Sequence, residues 1–172
     1  MLTVDRPFPN EVVDFFQAYV AKASGNDLFT ALDHALERSR AVAVGIAPDR
    51  EEYRYAEGKW SIKEVFQHIT DTERILSYRA LRFARNDATE LAGFEENDYV
   101  ALAETERRSL KDLLEEHIIV RTSTIALFRS FSADMLTRTG VANGNRNSVR
   151  ALGWSIAGHA LHHMDIIDQR YR

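Results

Sequence analysis

Two histidines four residues apart, His159 and His163, stand in the segment Gly158-His159-Ala160-Leu161-His162-His163. On a helix this spacing stacks both imidazoles on one face, within reach of a single ion. Val149, Leu152, Ile156, His159, His163 and Ile167 recur at the three- and four-residue intervals of a buried helical stripe. Two imidazoles therefore replace aliphatic side chains on a face that packs inward. That costs desolvation free energy unless something binds them, and a metal ion would.

A histidine pair leaves a metal site incomplete, so a third ligand must come from His34, His68, His117 or His162. At 100° per residue His162 points away from the stripe of His159 and His163 and reads as a surface residue. His117 sits between Glu115-Glu116 and Ile118-Ile119 and reads as a boundary residue, while His34 lies on a mixed face. His68 is the better candidate. It flanks a stripe of Ile62, Val65, Phe66, Ile69, Leu76, Ala80 and Phe83, in line with Thr72, Ile75 and Arg79. By pattern alone, a hydrogen-bonded core histidine fits His68 equally well.

The elements that must position these residues are helical nearly throughout. A first helix is expected from Asn10 to Ala23, with Gly25 suited to its end and Asn26 to the next cap. A second runs to Gly45, closed by Pro48. Ser61 and Glu64 form a capping box for a third helix reaching Asn86, and Ser109 with Asp112 opens a fourth from Leu110 to Phe131. Asp87 to Val100 reads as a connection with at most a short helical turn. Thr139 to Asn147 reads as a polar loop, with a small hairpin through Asn143-Gly144 as the alternative. Both connections are placed at the mouth of the site. Ser148 caps the last helix, which reaches Tyr171. Long amphipathic helices joined by loops predict an all-α, antiparallel four-helix bundle with additional short helices.

Composition narrows the function. At 172 residues the chain is read as one domain, 1–172. The net charge of -4 argues against a nucleic-acid partner. Without cysteine, thiolate ligands and a cysteine nucleophile are excluded. Asp5, Arg6, Glu11 and Asp14 interrupt any signal-peptide core, and no apolar run approaches the roughly 18 residues of a membrane span. A cytoplasmic protein with no membrane partner is expected.

Gly58-Lys59-Trp60-Ser61-Ile62-Lys63-Glu64-Val65, His68-Ile69 and Asp71-Thr72-Glu73-Arg74 together resemble the signature of the DinB/YfiT-like superfamily. Asn143-Gly144-Asn145, Ser148-Val149-Arg150-Ala151-Leu152 and Gly158-His159 followed by His163 extend the resemblance to the C-terminus. It implies a bundle holding one divalent metal with three histidines, which fall at His68, His159 and His163. It implies thiol S-transfer with low-molecular-weight thiols, isomerisation or hydrolysis as activities, and leaves a homodimer or a non-catalytic metal-stabilised binding bundle open.

Three neutral imidazoles leave an ion its full double charge and an open position, the arrangement of catalytic sites. Such a site would activate a thiol or water for attack on a small-molecule electrophile. Imidazole ligands suit zinc or nickel first, with iron, cobalt or manganese as further options, and mismatch calcium and magnesium. Ala160 stands where a metalloprotease would carry glutamate. Glu73 is the one carboxylate weighed as a general base. Its place in the stripe of Ile69, Leu76 and Ala80 favours a structural ion pair. Arg79, on the His68 side of the helix, is read as an anion holder or a surface residue.

Overall fold

A computed structural model describes residues 3–171; Met1, Leu2 and Arg172, at the ends of the expected domain, lie outside them. In chain order the helices are α1 (Asp14–Lys22), α2 (Leu28–Val44), α3 (Ile62–Ala84), α4 (Glu96–Ala101), α5 (Leu110–Arg129), α6 (Ala133–Thr137) and α7 (Val149–Arg170). A two-stranded hairpin, β1 (Thr139–Ala142) and β2 (Asn145–Ser148), precedes α7.

The caps follow the local sequence. The Ser61 hydroxyl accepts the Glu64 N–H at 3.2 Å, and the Glu64 carboxylate accepts the Ser61 N–H at 2.6 Å. Ser109 and Asp112 repeat this exchange, and Ser148 accepts the Ala151 N–H at 3.1 Å. Asp27, not Asn26, caps α2. Its carboxylate serves both the Thr30 N–H at 3.2 Å and the Val4 N–H at 3.0 Å, tying the N-terminal segment to the bundle. Helix α1 starts at Asp14 rather than Asn10, because Pro9 opens a 3-10 turn and Val12 and Val13 are extended.

The hairpin corrects the expected loop. Asn143 and Gly144 both take positive φ, 51° and 70°, the conformation a tight two-residue turn between twisted strands requires. Each strand is only four residues long, Thr-Gly-Val-Ala and the wholly polar Asn-Arg-Asn-Ser, so neither carries a polar–apolar alternation for a sequence reading to detect. The hairpin lies flat on α3 at Gly140, where a β-carbon would overlap the Phe83 ring.

Helices α2, α5, α3 and α7 form a closed ring in which each packs on the next. Consecutive α2 and α3 therefore sit across a diagonal, as do α5 and α7. Helices α3 and α7 are antiparallel neighbours: the Tyr171 hydroxyl donates to the Trp60 carbonyl at 2.8 Å, and Arg138 donates to the Ala84 carbonyl at 2.6 Å. Helices α3 and α5 run parallel, with Lys63 bonded to the Arg108 carbonyl, Glu73 to Arg121 and Ser77 to Thr124. The return connection carrying α4 makes that parallel pairing reachable. Leu28, Leu32, Phe66, Phe83, Phe128, Leu152 and Trp154 fill the interior. Among the described residues, no helix is long and apolar enough to cross a membrane.

Candidate metal centre

Because α3 and α7 are antiparallel neighbours, His68 meets His159 and His163 across their interface. The Nε2 atoms of His68 and His159 lie 3.1 Å apart, as do those of His163 and His159. One nitrogen from each of the three rings falls within 4.8 Å of the others. His68 is 4% exposed and His159 6%, while His163 is partly buried.

These spacings bear on whether a cation fits. Ligands about 2.0–2.1 Å from a tetrahedral ion stand roughly 3.3 Å from one another, close to the spacing seen. Hydrogen bonding alone accounts for the cluster poorly. A neutral ring nitrogen has either one N–H or one in-plane lone pair, yet His159 Nε2 faces two other nitrogens at equal distance. Burial pushes His68 down to about 4. Burial, then the charges of His68 and His162, push His163 down to about 3. His159 is driven well below its ordinary value by burial and then by His163. All three are held in the neutral form that ligates metals.

Aromatic rings enclose the cluster. Trp60 sits 4.6 Å from the His68 ring and 6.4 Å from His163, centroid to centroid. Tyr19 meets the edges of His159 at 5.2 Å and His162 at 5.3 Å. Tyr19 reaches this place because α1 lies directly on α7 at Gly158, where a β-carbon would overlap the Tyr19 carbonyl. The Glu96 carboxylate of α4 stands 4.0 Å from His68 Nε2. Burial, then Glu95, raise its pKa. A cavity of about 350 Å³ opens beside His159, bounded by Phe16, Tyr19, Thr72, Arg79, Glu96 and Asn147 among others. A second, of about 220 Å³, opens beside His163 between Trp60, Tyr55 and Tyr171.

The family model described as the DinB superfamily matches residues 31–167. The chain belongs to the DinB superfamily. No curated protein matches it. YfiT from Bacillus subtilis, described as a probable metal-dependent hydrolase with an unusual four-helix bundle topology, has a similar structure. Its TM-score is 0.74 at 12% identity, over 96% of this chain and 91% of that one. The mycothiol-dependent maleylpyruvate isomerase gives 0.58 at 14% identity; the match covers 78% of this chain but only 59% of the isomerase. The colibactin self-resistance protein ClbS, in a complex with dsDNA, gives 0.61 at 16% identity over 83% and 92%. Identities this low establish a shared fold.

Glu73 is not at the histidine cluster's cavities. It accepts two hydrogen bonds from Arg121, at 2.8 and 2.9 Å, and both residues are buried. Burial alone would raise the Glu73 carboxyl, but the charge and hydrogen bonds of Arg121 hold it below its ordinary value. It is the structural ion pair its stripe implies. His117 is fully buried rather than a boundary residue, since it faces α3, with Nδ1 3.9 Å from Glu73 and 3.4 Å from the Thr70 hydroxyl. Its flanking glutamates mark only the two sides of the helix. His162 is partly buried against Tyr19, and His34 is exposed. Arg79 is buried, 7% exposed, and lies between the cavity beside His159 and a neighbouring one of about 360 Å³ that Ala92 also borders. The expected connections do border the site: Phe94, Glu95, Glu96, Asn143, Asn145 and Asn147 line the cavity beside His159.

Three flanking residues carried no readable role in the sequence. Glu96 lies in a segment without helical period, and Tyr19 in a helix remote in sequence. Trp60 stands inside the recognised motif, though nothing local shows that its ring covers two histidines.

Proposed function

We propose that His68, His159 and His163 hold one divalent transition-metal ion, and that the protein is a metal-dependent enzyme activating a small thiol, or water, for attack on an electrophile. The gathering of three neutral imidazole nitrogens, two on buried residues and one on a partly buried residue, within 4.8 Å of one another carries this reading. Zinc or nickel fits the donor set best. Such an ion supplies Lewis acidity, lowering the pKa of a thiol or water that reaches it and neutralising charge as attack develops.

The chain's own residues divide the remaining work. The Glu96 carboxylate, half exposed at the cavity wall and 4.0 Å from His68 Nε2, accepts the nucleophile's proton. Trp60 and Tyr19 exclude bulk water from two sides and fix the imidazole planes. Gly158 keeps α1 close enough for Tyr19 to do so. The two cavities flank the cluster, one beside His159 and one beside His163, which gives room for two small molecules at once. This supports transfer to or from a low-molecular-weight thiol ahead of hydrolysis, and a catalytic role ahead of a purely stabilising ion. The net charge of -4 supports small-molecule rather than nucleic-acid substrates.

Elemental analysis of purified protein should show about one transition-metal ion per chain, lost in His159→Ala/His163→Ala. Retention of metal by that variant would overturn the site. Metal-dependent loss of an electrophile, assayed with and without bacillithiol, mycothiol or glutathione, separates transferase from hydrolase. No metal-dependent turnover of either kind would leave a binding bundle.

A further inference from the structure

The cavity beside His159 is bordered by a charge to which the proposed metal chemistry gives no role. Arg79 is 93% buried by its 7% residual exposure, and one guanidinium nitrogen donates to the Ala92 carbonyl at 2.9 Å. Among the described residues no carboxylate pairs with it, although the ion pairs of Arg121, Arg150 and Arg74 show that the fold supplies partners elsewhere. An uncompensated buried guanidinium is costly, by several kcal/mol in general, and such groups persist where an anion completes them. Burial without a counter-charge also lowers the Arg79 pKa.

Thr72 makes an independent second observation. Its hydroxyl is buried, the residue being 8% exposed, and has no hydrogen-bond partner. Thr72 and Arg79 both border the cavity, seven residues and thus two turns apart on one face of α3, with Leu76 between them. Four residues before Thr72, on the same line, comes His68. The histidine cluster and the guanidinium therefore belong to opposite ends of one stripe, eleven residues or roughly 16 Å of helix axis apart. The arginine stem leans back toward the helix N-terminus and shortens that gap.

We propose that this cavity carries a carboxylate-binding subsite, formed by the Arg79 guanidinium and the Thr72 hydroxyl, for the anionic end of an organic acid substrate. The guanidinium fork matches a carboxylate bidentately and the hydroxyl offers a further donor. One cation and one hydroxyl suit a monoanion. A phosphate dianion would face Glu95 and Glu96 on the same wall with no second cation to offset them. Phe15, Phe16, Val13 and Leu76 line the space between, so the body of the acid is apolar.

The subsite shares its cavity with the proposed metal centre, and the test lets the two fail separately. Calorimetric titration of the purified protein with phenylbutyrate, and with phenylbutyramide as its neutral counterpart, reads the anion preference. The acid should bind about tenfold or more tightly than the amide, and Arg79→Met should abolish that preference. His159→Ala/His163→Ala should retain it, because Arg79 and not the metal grips the acid. Equal binding of acid and amide, or an acid preference that survives Arg79→Met but disappears in the histidine variant, would overturn the proposal. The isosteric Thr72→Val keeps the test decisive should Arg79→Met fail to fold: acid binding weakened about threefold supports the subsite, and unchanged acid binding refutes it.

Discussion

Replacing Glu73 with alanine distinguishes a buried strut from a catalytic base. Arg121 has no exposed surface and gives Glu73 two hydrogen bonds at 2.8 and 2.9 Å, while its third arm donates to the Leu32 carbonyl at 2.6 Å. The pair thus ties α3, α5 and α2 together. Glu73→Ala strands a guanidinium in the interior, a loss of about 3–5 kcal/mol, in line with two charge-assisted hydrogen bonds at about 1.5–3 kcal/mol each. For a chain of this length that is a fall in Tm of roughly 10 °C. Glu73→Met/Arg121→Met removes both charges at similar volume and should recover most of the stability, because desolvating the pair had offset much of its attraction. Thermal unfolding followed by circular dichroism measures all three proteins, with elemental analysis alongside. The double variant should keep its metal and its turnover. A loss below about 1 kcal/mol for Glu73→Ala, or a stable double variant that binds metal yet turns nothing over, would refute the structural assignment.

Glu96→Gln should leave metal content unchanged and lower turnover about a hundredfold, since the amide cannot take up the proton; undiminished turnover excludes Glu96 as acceptor. Gly158→Ala tests the contact that seats α1. Inside an open helix this change gains about 0.5–1 kcal/mol, but overlap with the Tyr19 carbonyl should reverse the sign to a loss of about 1–3 kcal/mol, with faster amide exchange over α1. A stabilised variant contradicts the close approach. His117 is pushed down to about 4 from 6.5, first by burial and then by Arg121, against the pull of Glu73. The unfolded chain therefore takes up a proton between those values that the folded chain refuses. Stability falls on acidification through that window, by at most about 1.4 kcal/mol per pH unit for this group. Urea unfolding in the presence of chelator should show His117→Leu losing less than the wild type between about pH 7 and pH 5. Equal losses would remove His117 from the balance.

The long helices α3, α5 and α7, their serine caps and the histidine pair of α7 were legible in the sequence because each depends on neighbours within one or two turns. Ser61 with Glu64, Ser109 with Asp112, and His159 with His163 all act at spacings of three or four residues. His68 was readable only as the edge of a stripe. Its selection as the partner of the pair needed the family resemblance, and its meeting with His159 depends on α3 and α7 being antiparallel neighbours. The ring order of the bundle, with α2 and α3 across a diagonal, follows from how helix faces pack and not from any local signal. Tertiary packing also buried Arg79 and Thr72 in one cavity, enclosed His117, gave Glu73 its partner 48 residues away, and brought Tyr19 and Glu96 to the cluster. Local hydrogen-bonding and periodicity determine what a segment becomes; which charges lose their water, and what then compensates them, is settled only when distant faces close on one another.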